Sequence, residues 1–198
     1  MTATPSRADR KAPSAAAPAG FSVLDECHRQ TLGALARLEA VVASLDGGPI
    51  EAHTRAAAAA VVRHFSTTAR QHHEDEERHV FPKLATSGDR ALQHAVSRLL
   101  QDHLWLEEDW RELQPPLDAI ACGQAWFDVA VLREGSEIFA ALAREHIALE
   151  ESFLYPSART LLGAGEQHEM EREMTARRRA TRKAATGAKA PSRSSAPP

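Results

Sequence analysis

Cysteine is nearly absent from this chain of 198 residues, which has only Cys27 and Cys122. Two cysteines without a Cys-x-x-Cys spacing cannot build a disulfide framework, a thiolate zinc site or an iron–sulfur cluster. Long hydrophobic runs are missing too, and without about 18 consecutive apolar residues no membrane span is predicted. The charge is nearly balanced, with 24 Lys and Arg against 27 Asp and Glu, which argues against a specific nucleic-acid partner.

Histidine is the residue type that stands out, with ten copies in the chain. The remaining composition is ordinary, since 43% of the residues are hydrophobic and 26% are charged. Such a chain can bury a core. We therefore expect a folded domain whose chemistry depends on imidazole groups.

The two ends of the chain differ in composition from its middle. Residues 1–20 are rich in Ala, Pro and Ser and predict a disordered lead without the apolar core of a secretory signal, so we expect a cytoplasmic protein. Residues 163–198 are polar, and they carry no acidic residue after Glu173. This basic tail is predicted to be mostly disordered and is a candidate contact for an unknown acidic partner. Residues 21–162 suit a single domain.

Apolar residues within 21–162 recur every three or four positions, which is typical of amphipathic α-helices. No stretch alternates as a strand would. Breaks rich in Gly, Pro and Asp fall at 46–49, at 87–89 and at 114–116, with Gly123 beyond. Short breaks make successive helices antiparallel neighbours. The sequence thus predicts an all-α fold, an up-down-up-down antiparallel four-helix bundle with disordered tails.

Two segments of the chain repeat one pattern. Residues 72–82 and 146–156 both read His-x-x-x-Glu-Glu-x-x-x-aromatic-Pro. A further histidine precedes each copy at nearly the same distance, His28 before the first and His103 before the second. Each pair of helices therefore supplies one histidine from its first helix and a His-x-x-x-Glu from its second.

Residues four apart on an α-helix point to the same side. His72 with Glu76, and His146 with Glu150, can therefore each bind one centre inside the bundle. Six ionisable groups in an apolar interior are strongly unfavourable unless cations compensate them. Imidazole and carboxylate without thiolate suit iron, manganese or zinc, and two carboxylates can bridge two metals. A single His-x-x-x-Glu is common on exposed helices, but two aligned copies favour a site.

Helical spacing alone does not separate His72 and Glu76 from His73 and Glu77, because both pairs are four residues apart. Counting back from Pro82 and from Pro156 places His72 and Glu76 opposite His146 and Glu150. Glu77 and Glu151 then fall at the margin of the buried stripe.

These residues resemble the hemerythrin family, and specifically its bacterial HHE cation-binding domains, from about His28 to Pro156. The resemblance implies a four-helix bundle that holds a non-haem di-iron centre, with two iron ions and manganese as a possible replacement. It implies that His28, His72, His103 and His146 are terminal ligands and that Glu76 and Glu150 bridge the metals. It also implies O2, NO or peroxide as the small ligand.

The sequence departs from the family's oxygen carriers at one position. The carriers have a second histidine four residues after the one on the third helix, and Glu107 stands there in this chain. Glu107 is either an additional oxygen ligand or a peripheral carboxylate, and both interpretations stay open here. Either way, we expect less reversible binding of O2 or peroxide than in a carrier.

These residues are compatible with three functions. The favoured one is a di-iron protein that binds a small ligand or serves iron homeostasis. The alternative is a di-iron or di-manganese oxidase or peroxide-removing enzyme, although a second Glu-x-x-His motif matching Glu76-x-x-His79 is missing. A third is a sensor whose metal centre controls the basic tail.

Overall fold

The computed structural model describes residues 19–45 and 47–187, and within them every regular element is a helix. The all-α class is thus confirmed. None of the described helices combines the length and apolar character needed to cross a membrane. The α-helices are α1 (Ala19–Ala43), α2 (Ala52–Arg63), α3 (Arg70–His79), α4 (Phe81–Ala85), α5 (Arg90–Ala121), α6 (Val129–Leu149), α7 (Tyr155–Leu161) and α8 (Ala164–Gly187). The predictions for residues 1–18 and 188–198 lie outside the described residues.

Four long helical stretches surround one interior. They are α1, the continuous run from α2 to α3, α5, and the continuous run from α6 to α7. Helix α1 packs against α2 and α6, and α5 packs against the same two helices. Each stretch therefore has two neighbours and one face toward a shared core.

Aspartate caps fix where two of these helices begin. Asp89 accepts a hydrogen bond from the backbone of Ala91 at 2.8 Å, and Asp128 does the same for Ala130 at 2.8 Å. A capping carboxylate satisfies backbone N–H groups that have no partner within the helix. The predicted breaks before these helices are therefore explained by side-chain chemistry.

The break predicted at 114–116 is wrong, because α5 continues through Pro115 and Pro116 to Ala121. Two prolines remove two backbone donors, which ordinarily disfavours a helix interior. Here Leu113 and Leu117 are both buried in the core, so packing on either side holds the helix together. The helix ends instead before Gly123, whose φ of 77° few other residues adopt.

The interior has two apolar clusters with a polar layer between them. One cluster includes Leu35 and Phe65, and the other includes Leu24 and Leu99. Along α1, for example, His28 separates Leu24 in one cluster from Leu35 in the other. The same order recurs in the other three stretches, so the polar layer crosses the whole bundle.

The layer is flanked by irregular helix geometry. A π-helical segment, His64–Ala69, precedes α3, and a second one, Glu150–Leu154, precedes α7. Such segments are rare within α-helices and occur often at functional sites. The repeated proline follows each copy closely: Pro82 lies just after the break between α3 and α4, and Pro156 lies just after the second π-segment.

The C-terminal region from residue 163 does not match the prediction of a disordered tail, since Ala164–Gly187 form α8, which packs along α1. Met170 and Met174 of α8 are buried against the bundle. Gly20 permits the close approach, because a Cβ there would lie 2.9 Å from the carbonyl oxygen of Gln167. The charged sequence of α8 hides a narrow apolar face, and burial of that face stabilises the helix against the bundle.

Helix α8 also makes a polar contact with the bundle at Asp75. The Asp75 carboxylate is 2% exposed and accepts a hydrogen bond from Arg177 Nε at 3.1 Å. Arg178 Nη1 lies 2.9 Å from its other oxygen. Arg177 and Arg178 therefore attach α8 to α3 at the residue that precedes Glu76.

Candidate metal centre

Six of the seven side chains predicted as ligands converge in the polar layer. All six are at least 95% buried, and each of the four helical stretches contributes at least one of them. They are His28, His72, Glu76, His103, His146 and Glu150.

These six residues form two groups of four that share both glutamates. Within each group, one candidate ligand atom per residue lies within 4.8 Å of the others. The first group contains His28 and His72, and the second contains His103 and His146, each with Glu76 and Glu150. Two imidazoles on either side of a shared pair of carboxylates is an arrangement suited to two cations.

Glu150 lies between imidazoles from different halves of the repeat. Its Oε1 is 3.1 Å from His146 Nε2 on the same helical stretch, and its Oε2 is 3.1 Å from His28 Nε2 on α1. Burial alone would raise the pKa of Glu150, but the His146 and His28 imidazoles hold that pKa well below its ordinary value. The carboxylate is therefore available as an anionic ligand.

Glu76 repeats this arrangement in the first copy. Its Oε2 lies 3.4 Å from His72 Nε2 and 3.5 Å from His103 Nε2. Burial, together with the nearby Glu150 carboxylate, raises the pKa of Glu76 to about 7. Two carboxylates so close repel each other when both are ionised, and bound cations remove that repulsion.

The second glutamate of each repeat orients an imidazole from the opposite half. Glu151 Oε1 is 3.0 Å from His28 Nδ1, and Glu77 Oε1 is 2.7 Å from His103 Nδ1. An Nδ1–H group that donates to a carboxylate leaves the Nε2 lone pair directed at the interior. These contacts explain why both copies carry two consecutive glutamates.

Several buried polar atoms in the layer accept or donate no hydrogen bond. They include Glu76 Oε2, both carboxylate oxygens of Glu150, and the Nε2 atoms of His103 and His146. Leaving buried polar groups unsatisfied is costly, at about 1–3 kcal/mol each. Because these atoms face one another and are all metal-ligating types, the residues present fit a pair of metal ions.

Glu107 is the predicted ligand that the structure does not bring to the others. It belongs to none of the candidate metal groups found among the described residues. Its carboxylate lies 3.0 Å from Arg70 Nη2 and is 33% exposed, so an ion pair at the edge of the bundle holds it there. His73, which the alignment of the repeats set aside, instead lies near His103 and His146.

Tyr155 makes contacts in the layer that the sequence did not predict. The side chain is fully buried, and its hydroxyl donates to Glu76 Oε1. The Tyr155 hydroxyl oxygen also lies 3.2 Å from His28 Nε2. Burial and the neighbouring carboxylates of Glu76 and Glu150 raise the pKa of Tyr155 well above its ordinary value, so the phenol stays protonated. The repeat offered only one signal: the chain's single tyrosine stands where the other copy has Phe81.

A small cavity opens beside the layer on the side of the first apolar cluster. Its volume is about 40 Å³, which accommodates a diatomic molecule or a few waters. Imidazoles of both groups line it together with apolar side chains, among them Phe65, Leu106, Trp110 and Phe139. The cavity therefore connects the candidate ligands to an apolar space of small-molecule size.

Comparison with known protein families gives a match over most of the described chain. The family described as hemerythrin HHE cation binding domain matches residues 19–158, which contain all seven predicted ligands. No curated protein matches the chain.

Proposed function

This chain belongs to the hemerythrin HHE cation-binding family, and we propose that its helices hold two metal ions that bind a small ligand. Iron is the first choice and manganese the second, because the ligand atoms are imidazole nitrogens and carboxylate oxygens without thiolate. The proposed ligand is O2, NO or peroxide, or else the protein serves iron homeostasis. The up-down-up-down antiparallel path of the helices is part of this proposal.

The observation that carries the proposal is the sharing of both glutamates between two pairs of histidines. A single metal ion would use one group and leave ligand atoms of the other group buried without partners. With two ions, His28 and His72 would hold one, His103 and His146 would hold the other, and Glu76 with Glu150 would contact both. This uses the buried atoms that otherwise lack hydrogen bonds.

Bound iron or manganese supplies a Lewis acid and a change of oxidation state to a small ligand. The chain itself supplies orientation and protons. Glu77 and Glu151 fix the ring orientation of His103 and His28. The Tyr155 hydroxyl donates to the Glu76 carboxylate and holds its position, and the raised pKa of Tyr155 keeps this donor protonated.

The dimensions and chemistry of the cavity support a small neutral ligand. Its volume of about 40 Å³ is far below the several hundred Å³ typical of pockets for organic substrates. The apolar rings that line it disfavour solvated ions and tolerate O2 and NO. Access is bordered by the Arg70 and Glu107 ion pair, because both residues also line the cavity.

The proposal is tested by loading the purified full chain anaerobically with Fe(II), removing free metal and counting iron per chain. We expect two irons and, after oxidation, the near-ultraviolet bands of a bridged di-iron centre. Glu150→Ala should hold at most one iron, because both groups lose a carboxylate. His94→Ala, which replaces an exposed histidine on α5, should still hold two. A wild-type chain that holds no iron or manganese would overturn the proposal.

One observation favours the alternative of a peroxide-removing enzyme or an oxidase. The buried Tyr155 phenol places a hydrogen-bond donor beside the shared Glu76 carboxylate, which simple reversible binding does not require. Peroxide turnover that falls at least tenfold in Tyr155→Phe, with unchanged iron content, would support the enzyme. Stopped-flow formation of a stable and fully reversible O2 form would support a carrier.

A further inference from the structure

We propose that the ion pair of Arg70 and Glu107 is a gate over the small cavity, which admits small neutral molecules and retards ions. The cavity is the one of about 40 Å³ that imidazoles of both groups line. This inference rests on the proposed function, because the gate would control which ligands reach the same pair of metals. It gives Glu107 a role at the entrance rather than among the metal ligands.

Most of the cavity wall is closed by buried side chains. Every residue that lines it is buried except Arg70, His73 and Glu107. The Arg70 side chain is 56% exposed and that of Glu107 is 33% exposed, so both extend from the cavity to the surface. His73 belongs to the fixed wall, since its ring stacks on that of His103 with a centroid separation of 3.9 Å. A molecule that enters from solvent therefore meets the side chains of Arg70 and Glu107.

The pair joins two helical stretches across this entrance. Arg70 is the first residue of α3, directly after the π-helical segment His64–Ala69, and Glu107 lies one turn beyond His103 on α5. Arg70 Nη2 lies 3.0 Å from Glu107 Oε1, so the contact bridges α3 and α5. Because both side chains are partly exposed, each can turn into water without leaving a buried charge. Opening thus costs little more than one exposed ion pair.

The chemistry of the entrance distinguishes neutral ligands from ions. A paired cation and anion give the entrance no net charge, so neither kind of ion is attracted to it. Behind the pair lie Phe65, Leu106 and Trp110, where an ion would lose its water without gaining polar partners. O2 and NO enter apolar surroundings without that loss. Removing one charge of the pair should therefore change the selectivity in a direction set by the charge that remains.

Trp110 can report entry without any metal. It lines the cavity and is buried, whereas the other two tryptophans, Trp105 and Trp126, are exposed. Phe at both exposed positions leaves Trp110 as the single fluorescent reporter. The experiment measures quenching of its fluorescence in the metal-free full chain by O2, by iodide and by caesium, at constant ionic strength. In this background we expect O2 to quench Trp110 and the two ions to have little effect.

Four variants in this background separate a gate from a pair that only stabilises the fold. Glu107→Gln leaves the Arg70 cation and should raise quenching by iodide about threefold to fivefold, the factor expected for loss of one partly exposed ion pair, with less effect on caesium. Arg70→Gln leaves the carboxylate and should favour caesium instead. The exchanged pair, Arg70→Glu with Glu107→Arg, should again exclude both ions. Arg63→Gln is the control and should change nothing, because Arg63 is exposed on the same helical stretch and does not line the cavity.

The iron-loaded chain gives a second measurement. Glu107→Gln should still hold two irons, and azide should bind its oxidised form about threefold to fivefold faster than it binds the wild type. Iodide and caesium quenching that stays the same in both single variants, or that shifts in the same direction in both, would overturn the gate. Loss of iron in Glu107→Gln would make this carboxylate a ligand and would also overturn it. A wild type that binds no metal would overturn the proposed function, while quenching in the metal-free chain still decides the gate.

Discussion

The contact between α8 and Asp75 gives a prediction whose magnitude follows from burial. Replacing Arg177 and Arg178 together by Gln removes both cations from a carboxylate that is 2% exposed. Breaking a buried ion pair from one side costs about 3–5 kcal/mol. The two arginine side chains are 28% and 21% exposed, so water can reach the carboxylate in part, and we expect the lower end, about 3 kcal/mol. For a chain of this size that lowers Tm by roughly 6–12 °C.

The assay is urea unfolding at neutral pH, performed on the metal-free and the iron-loaded chain. The matched control is Arg172→Gln on the same helix, where the arginine pairs with the exposed Glu169 at 3.1 Å. An exposed pair contributes less than about 1 kcal/mol. In a double-mutant cycle, Asp75→Asn should remove most of the effect of the two arginine changes. Equal losses from Arg172→Gln and from the double variant would refute the reasoning.

Three further predictions concern positions away from the metal layer. Cys122 should react with a thiol reagent in the native protein, because it is exposed. Cys27 should react only on unfolding, because it is buried and burial raises its pKa to about 12; equal reaction rates of the two thiols in the native protein would contradict this. Gly20→Ala should destabilise α8 by about 1–3 kcal/mol through the clash with Gln167, whereas Gly33→Ala, with open space around it, should be neutral or stabilising in urea unfolding. Burial lowers the pKa of His64 from 6.5 to about 4. As the pH falls, the His64 imidazole is therefore protonated in the unfolded chain before it is protonated in the folded one. The contribution of His64 to the free energy of unfolding is therefore complete above pH 6.5 and is lost toward pH 4, by up to about 3 kcal/mol. The difference in free energy of unfolding between the wild type and His64→Gln should narrow over that range.

The repeat made most of the candidate site predictable from the sequence. Two copies of His-x-x-x-Glu fix which face of each helix points inward, because helical geometry sets the direction of residues four apart. The histidines before each copy then follow from their equal placement. Short connections between the helices make successive helices neighbours, and this brings the four histidines and two glutamates into one layer.

The features that were missed are those that the repeat does not share. Tyr155 is opposite Phe81, and two aromatic residues of similar size are equivalent as far as packing is concerned. His73 has Ile147 as its counterpart, so the alignment assigned it no role. Its neighbours come from α5 and α6, and their approach depends on three-dimensional packing rather than on spacing.

The two errors in the fold have a common physical cause, since tertiary packing outweighed a local preference. Pro115 and Pro116 predict a break, but α5 continues because buried residues flank them. Among the described side chains of α8, Met170 and Met174 are the buried apolar ones within a strongly charged segment, so composition alone suggested a disordered tail. The contact with Asp75 joins positions about a hundred residues apart and has no local signal.

The measurement that tests the central claim most directly is the anomalous scattering of crystals of the iron-loaded chain, collected at the iron absorption edge. Two peaks should lie about 3.5–4 Å apart between the carboxylates of Glu76 and Glu150. A single peak within the layer, or peaks only at surface histidines such as His94, would contradict the account.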